Sequence, residues 1–246
     1  MTIVRAAAHL HSDWSYDATW PLPRLAETLA RRGYRVALMT EHDRGFSPER
    51  LSEFRAACAA ASSARILVVP GIEYSDAQNL VHILTWGDVP FLGEGTPTLD
   101  TLTRVREAGG VSVMAHPSRK NAWREVTPAW AERLTAIELW NRKSDGWAPS
   151  RDAARLASEH RLPVFAGLDF HRRRQLWPLS VDIEIEGPVS ETSVIAGLRS
   201  RRWEAKAWGA PAWWFASGAI GGAARAAEWA RRTAARNLRR AIGRPA

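Results

Sequence analysis

Cysteine occurs once, as Cys58 in the alanine-rich run 54–61. One thiol can close no disulfide within the chain and cannot build a cysteine-based zinc site, so Cys58 reads as a small buried helix residue. Long apolar runs are missing as well. None approaches the roughly 20 residues that span a bilayer. The N-terminus carries no basic region followed by an apolar core, so neither a membrane span nor a secretory leader is expected, and the expected compartment is the cytoplasm. There is no GxSxG elbow, no Walker loop and no dinucleotide glycine fingerprint, which leaves those three chemistries without support. No internal repeat or long disordered linker interrupts the chain. Acidic residues are scarce only at one end. The formal net charge is +8, yet from Ser217 onward seven arginines face one glutamate, a balance of +6, so residues 1–216 carry only +2. The main domain is nearly neutral and the basicity belongs to the tail.

The 246 residues suffice for a large α/β domain with a full core. Short apolar strands and helix-spaced segments alternate. Strands are expected at 3–8, 36–40, 66–69, 80–86, 111–115, 136–140, 163–167 and 181–185, and helices at 22–32, 48–62, 99–108, 150–160 and 192–201. This order suggests parallel strands joined by crossover helices. Polar residues fall at the strand ends. The first strand runs into His9-Leu10-His11, where alternate residues of an extended chain would turn both imidazoles into one space. The others end in Glu41-His42-Asp43, Gly71-Ile72-Glu73, His116-Pro117 and Asp169-Phe170-His171. Such a rim, fed by several strand ends, fits a closed β/α barrel better than an open doubly wound sheet. Of the seven histidines, 9, 11, 42, 82, 116 and 171 lie at or beside expected strands, and only His160 lies at a helix end. Singly each would be read as structural; together with Asp17, Glu73 and Asp169 they read as metal ligands.

These motifs carry a resemblance. His9-Leu10-His11-Ser12 with Ser15 and Asp17, Thr40-Glu41-His42-Asp43, Gly71-Ile72-Glu73, Ala115-His116-Pro117, the segment from Ile137 to Asn141 and Gly167-Leu168-Asp169-Phe170-His171 stand in the order of the polymerase and histidinol phosphatase (PHP) superfamily, over about residues 1–205. The chain resembles that superfamily. The resemblance implies a distorted (β/α)7 barrel over 1–205, followed here by a Trp-rich linker and basic C-terminal helix over 206–246. It implies two or three divalent ions, Zn, Mn or Fe. His9, His11, Glu73 and Asp169 would bind the first. Glu73 would bridge to a second with His116 and His82, and Asp17, His42 and His171 would form the third. It assigns Glu73, Asp169 and His171 to catalysis. Glu41 stands where Asp is usual, and Leu168 and Phe170 stand where small residues are usual, which bears on the pocket more than on metal binding.

The implied activity is hydrolysis of a phosphomonoester or phosphodiester, of small or nucleotide-like substrate, by a metal-bound hydroxide. Imidazole and carboxylate ligands suit such ions, which acidify water and hold phosphate oxygens. Ser12 and Ser15 are then turn residues that brace the ligands. Arg119 and Lys120 follow His116-Pro117, and Arg142 follows the Glu138 motif, ahead of Lys143. Arg119 and Arg142 are the preferred phosphate clamps, with Lys120 beside them and Glu138 as a carboxylate facing the pocket. Rival readings are a 5′-to-3′ exonuclease on short RNA, a carboxylic-ester or carbamate metallohydrolase and a metal-stabilised binding module without turnover. Among the thirteen tryptophans, 14, 20, 123, 140, 147 and 177 lie near the expected rim, where one could stack a base, and Trp208, Trp213 and Trp214 are expected to anchor the tail. The tail places Ile220, Ala223, Ala227, Ala230 or Ala234, and Leu238 at helical spacing over 219–242, which predicts a helix packed by that stripe with its arginines in solvent. Sequence leaves the oligomeric state open.

Overall fold

The computed structural model describes residues 1–241. β1 (Thr2–Leu10) leads into α1 (Leu22–Arg31), β2 (Val36–Met39) and the two-residue β3 (Glu41–His42). α2 (Pro48–Ala61), β4 (Leu67–Val69), β5 (Gly71–Ser75) and β6 (His82–Trp86) follow, then α3 (Thr98–Glu107), β7 (Val111–Met114), the single turn α4 (Pro128–Ala131) and β8 (Ala136–Asn141). α5 (Arg151–His160), β9 (Val164–Gly167), β10 (Leu179–Ile185), α6 (Glu191–Arg199), β11 (Trp203–Ala207), β12 (Ala210–Pro211) and α7 (Gly218–Ala241) complete the order. The local signals act as expected. α1 buries Leu22, Leu25, Ala26 and Leu29, the stripe its spacing predicts. α2 starts at Pro48, with the Ser47 side chain accepting from the Arg50 backbone N–H.

The strands form two six-stranded sheets, ordered β12-β11-β10-β1-β2-β4 and β3-β5-β6-β7-β8-β9. Only Thr40 separates β2 from β3 and only Pro70 separates β4 from β5, so the chain passes twice from the first sheet directly into the second. On the far side the Leu168 N–H donates to Ala8 O at 2.9 Å, Phe170 N–H to His9 O at 3.0 Å and His11 N–H to Phe170 O at 3.0 Å. The expectation of uniformly parallel strands fails at β6, antiparallel to both β5 and β7, and at β10, antiparallel to β1. Residues 76–81 are all that join β5 to β6, while a parallel crossover takes about a dozen residues or more. The reversal has a useful consequence: His82 begins its strand rather than ending one, yet it arrives at the rim where Glu73 lies.

Two apolar clusters follow from strand alternation. Ala6, Ala8, Leu38, Trp86, Val113 and Phe165 form a core of strand residues from both sheets, which Val194 and Leu198 of α6 join. Residues of opposite parity, such as Ala7, Met39 and Ile137, pack against Leu25, Phe54 and Leu102 of the surrounding helices.

The tail differs from its expected packing. The boundary expected at 205 falls inside β11, which pairs with β10, and β12 extends the same sheet. In α7 the apolar stripe faces solvent: Ile220 is 53% and Leu238 63% exposed, and Ala223, Ala227, Ala230 and Ala234 are exposed too. The opposite face docks. Buried Glu228 accepts from Trp147 N–H at 3.1 Å and from Arg231 Nε and Nη2 at 2.7 Å, and Arg232 Nε also donates to it. Arg232 Nη2 reaches the carbonyls of Ser144 and Asp145 at 3.0 and 2.9 Å. Four alanines offer little area to bury, so a hydrogen-bonded carboxylate and two backbone carbonyls set the orientation instead. Trp208 packs with Trp140, Trp177 and Phe215 at 5.4–5.6 Å, while Trp213 and Trp214 remain 38% and 58% exposed. The expected end of the helix at Ile242 lies outside the described residues. No helix of the described residues is long and apolar enough to cross a membrane.

Candidate metal centre

The convergence of the first two histidines comes from a break in β1, not from simple alternation. Register with β2 shifts between Ala8 and Leu10, and His9 holds a left-handed backbone with φ 58°. In a regular strand Leu10 would share the inner face of Ala6 and Ala8; the bulge moves it to the outer cluster with Ala7. His9 and His11 thereby turn inward. His116 and Asp169 also lie at positive φ, 27° and 47°. Three candidate ligands thus hold a backbone disfavoured for side chains with a Cβ, a cost tolerated where surrounding structure fixes the geometry.

Glu73 is the centre of the cluster. Its Oε1 lies 3.4 Å from His9 Nε2, 2.7 Å from His82 Nδ1 and 3.1 Å from His116 Nε2. Its Oε2 lies 3.3 Å from His11 Nε2 and 3.1 Å from His42 Nδ1. Asp169 Oδ1 lies 3.8 Å from both His9 Nε2 and His11 Nε2 and 3.2 Å from His171 Nδ1. Asp17 joins His42 Nε2 at 3.3 Å to His171 Nε2 at 3.0 Å. All nine residues expected as ligands therefore meet. Three triads among them have mutually close donor atoms: His9–His11–Asp169, His9–Glu73–His116 and His11–His42–His171. His160, expected outside the cluster, ends α5.

Several of these buried atoms have no hydrogen-bond partner among the described residues, including Nε2 of His9, His11 and His42, Oε2 of Glu73 and Oδ1 of Asp17. Each such atom costs about 1–3 kcal/mol if left unsatisfied. Their concentration at one point, in a donor set of imidazole and carboxylate without thiolate, fits divalent cations.

A second layer holds the ligands. Glu138, wholly buried, accepts from His9 Nδ1 at 3.0 Å, the His116 backbone N–H at 2.7 Å and Asn141 Nδ2 at 2.8 Å. Expected to face the pocket, it instead lies behind His9 and orients that ring by the nitrogen that a metal would not use. Gly167 is required beside it, because a Cβ there would overlap the Glu138 carboxylate. Glu41 receives the Ser12 N–H and hydroxyl at 2.9 and 2.6 Å and the Ser15 hydroxyl. Ser15 Oγ in turn accepts the His42 N–H at 3.0 Å and lies 3.3 Å from His11 Nδ1. Glu41 thus reaches His11 and His42 through Ser15, the bracing role expected of it, while Ser12 bonds Glu41 itself.

Charge in the cluster is polarised. Burial alone would raise the Glu73 and Asp169 carboxyls, but His9 and the other imidazoles around them hold both well below the usual carboxylate range. Burial likewise opposes protonation of His9 and is overcome by Glu138, Asp169 and Glu73, which hold its pKa well above the ordinary value. His11 goes the other way, lowered by burial and by neighbouring His42. The carboxylates stay ionised while part of the imidazole set stays neutral, the state in which both bind metal.

The expected cations divide. Arg119 Nη1 donates to Asn79 O at 3.1 Å and lies 3.3 Å from His82 Nε2, and Lys120 Nζ reaches Asn79 O at 2.9 Å. Arg142 lays its guanidinium over Trp177 at 4.4 Å instead. Its neighbour Lys143 takes the inner position, 3.2 Å from Asp169 Oδ1 and 3.1 Å from His171 Nε2. Lys143 lies in the turn after β8, so strand alternation in the sequence does not assign its direction. Asn79 is a further polar partner that the sequence pattern did not single out, whereas Asn141 closes the motif that begins at Ile137. The rim tryptophans mostly pack: Trp14 against Phe54, Trp20 against Phe170, and Trp140 wholly buried. Trp147, stacked on Trp177 at 6.0 Å and 12°, stays 37% exposed.

No protein-family model matches the sequence, and no curated protein is similar to it. Solved structures are. A two-domain protein from Bacteroides vulgatus containing a predicted PHP-like metal-dependent phosphoesterase superposes with a TM-score of 0.58 at 16% identity, over 84% of this chain and 65% of that one. The chain shares the fold of that PHP-like protein. PsfC from Pseudomonas syringae shares it, with a TM-score of 0.62 at 16% identity over 84% of this chain and 92% of that chain. So does the lesion-specific endonuclease PfuEndoQ from Pyrococcus furiosus, with 0.57 at 15% identity over 81% and 56%. This chain thus spans about two thirds of the Bacteroides protein and just over half of the endonuclease. At these identities the PHP likeness is one of architecture; the chemistry has to come from this chain's own residues.

Proposed function

We propose that the protein is a metal-dependent phosphoesterase of the PHP type, hydrolysing a phosphomonoester or phosphodiester of a small or nucleotide-like molecule. The observation that carries this reading is the convergence of nine imidazole and carboxylate side chains around Glu73, with buried donor atoms left unpaired at their common centre. In this reading the two sheets act as one distorted seven-stranded barrel. The direct passages at Thr40 and Pro70 support it, as do the hydrogen bonds between β1 and the segment after β9.

His9, His11, Glu73 and Asp169 would hold one ion. Glu73 would share a second with His116 and His82, and Asp17, His42 and His171 would hold a third. Zn, Mn and Fe all suit these donors. Bound divalent ions supply water acidified toward neutral pH and positive charge for phosphoryl oxygens. The chain supplies the rest. Glu138 and Asn141 fix the His9 ring, and Ser15 fixes His42 and His11. Glu73, Asp169 and His171 line the reaction centre, and the Asp169 carboxylate, held ionised, can receive a proton hydrogen-bonded to it. Arg119 and Lys143 offer N–H donors to an anionic ester.

The test is metal analysis of the purified protein followed by a panel of p-nitrophenyl phosphate, bis-p-nitrophenyl phosphate, nucleotides, short RNA and p-nitrophenyl acetate. Phosphoester turnover that EDTA abolishes and a divalent ion restores is the expected result. Protein that binds no divalent metal and is indifferent to EDTA would overturn the reading. Turnover of the acetate alone would replace it with carbonyl chemistry at the same centre.

A further inference from the structure

Lys143 lies two residues beyond Asn141, where β8 ends, and its side chain turns back into the cluster. Nζ is 3.2 Å from Asp169 Oδ1, 3.1 Å from His171 Nε2 and 3.4 Å from His171 Nδ1. That carboxylate oxygen is the one 3.8 Å from both His9 Nε2 and His11 Nε2, so the ammonium sits on an atom of the His9–His11–Asp169 triad. It also covers His171 of the neighbouring triad. Arg119, the other cation at the centre, is braced by the Asn79 carbonyl and side chain. Among the described residues Lys143 has no such brace: its hydrogen bonds there all go to Asp169 and His171. Asp169 is 4% exposed and would be a buried carboxylate facing imidazoles alone without it, whereas the lysine is 38% exposed and has solvent to swing into. An ammonium and a divalent ion cannot share one carboxylate oxygen at contact, because like charges about 4 Å apart repel by several kcal/mol where solvent screening is weak.

We propose that Lys143 is a built-in counter-cation of the metal centre. It neutralises Asp169 and covers His171 in the metal-free protein, competes with the ion that takes those ligands, and when displaced donates to the substrate's phosphoryl oxygens at the same mouth. The competition rests on the metal binding proposed above, which the chelator titration tests directly, and only the last role rests on the phosphoesterase reading as well.

Lys143→Met, of similar length and without charge, separates these roles, with Lys143→Arg as the conservative partner. The readouts are the thermal midpoint of metal-stripped protein, Zn and Mn affinity by titration against a competing chelator, and KM and kcat for p-nitrophenyl phosphate. Lys143→Met should lower the metal-free midpoint and tighten binding of the most weakly held ion roughly tenfold, equivalent to about 1.4 kcal/mol. It should also raise KM more than it lowers kcat, and Lys143→Arg should restore the metal-free midpoint. Unchanged or weakened metal affinity in Lys143→Met would overturn the counter-cation. Tightened affinity with unchanged KM would remove the substrate role and leave the counter-cation standing. Protein that turns over no phosphoester would still report the competition through the chelator titration.

Discussion

Glu41 is wholly buried, and burial pushes its carboxyl up to about 7 despite the bonds from Ser12 and Ser15. A carboxyl whose folded pKa lies above its unfolded value adds stability in full below the unfolded value and loses it as pH rises through the folded one. For Glu41 that window runs from about 4.5 to about 7. Metal-free Glu41→Gln, which keeps an acceptor for Ser12 and a donor for Ser15, should flatten the decline across that window by roughly 3 kcal/mol. Urea unfolding at a series of pH values checks this. At Arg119 the expectation concerns binding. Its guanidinium touches Asn79 and His82 but no first-metal ligand, so Arg119→Ala should raise KM for a phosphoester about tenfold, about 1.4 kcal/mol, with metal content unchanged. Steady-state kinetics beside metal analysis reads both, and loss of metal would count against the clamp role.

Among the elements, β9 and α7 have the most to show. Gly167 ends β9 against Glu138, and a Cβ there would also come within 2.8 Å of His9 Cβ. Gly167→Ala should destabilise the protein by roughly 1–3 kcal/mol, as overpacking in a rigid core does, and should lower metal occupancy by displacing His9. Denaturant midpoints and metal content measured on one sample would show it, and unchanged occupancy would mean that Glu138 can move aside. α7 is held by its polar side, so Glu228→Ala should free it where an alanine-stripe model of docking would predict no effect. The variant loses a buried acceptor of several hydrogen bonds, worth about 1–3 kcal/mol. Trypsin cleavage after Arg225, Arg231 and Arg232 should quicken while the metal centre keeps its ions. The same pairing restrains any RNA-binding role of the tail, since Arg231 and Arg232 already serve Glu228.

For the molecule as a whole, the candidate metal centre lies where the two sheets meet, and its candidate ligands come from β1, β3, β5 and β6 and from the loops after β1, β7 and β9. A ligand that binds only the folded chain stabilises it by about 4 kcal/mol when present at a thousandfold excess over its dissociation constant. Stripping metal from the protein should therefore lower its thermal midpoint by several degrees, and refilling should restore it. Differential scanning calorimetry with and without EDTA makes the comparison, and an indifferent midpoint would argue that the cluster is a hydrogen-bonded network alone.

Which residues would meet follows from the order of the motifs along the chain. Imidazoles and carboxylates at the ends of apolar strands can hardly be satisfied except by one another, so the nine candidate ligands and the α/β class were legible from His9 to His171. Tertiary structure decided how they meet. The bulge at His9, the reversal of β6 that brings His82 to the rim, the choice of Lys143 over Arg142 and the inverted docking of α7 depend on register, loop length and buried hydrogen bonds. Those are properties of pairs of segments far apart in the chain, and a one-residue shift in any of them turns a side chain to the other face.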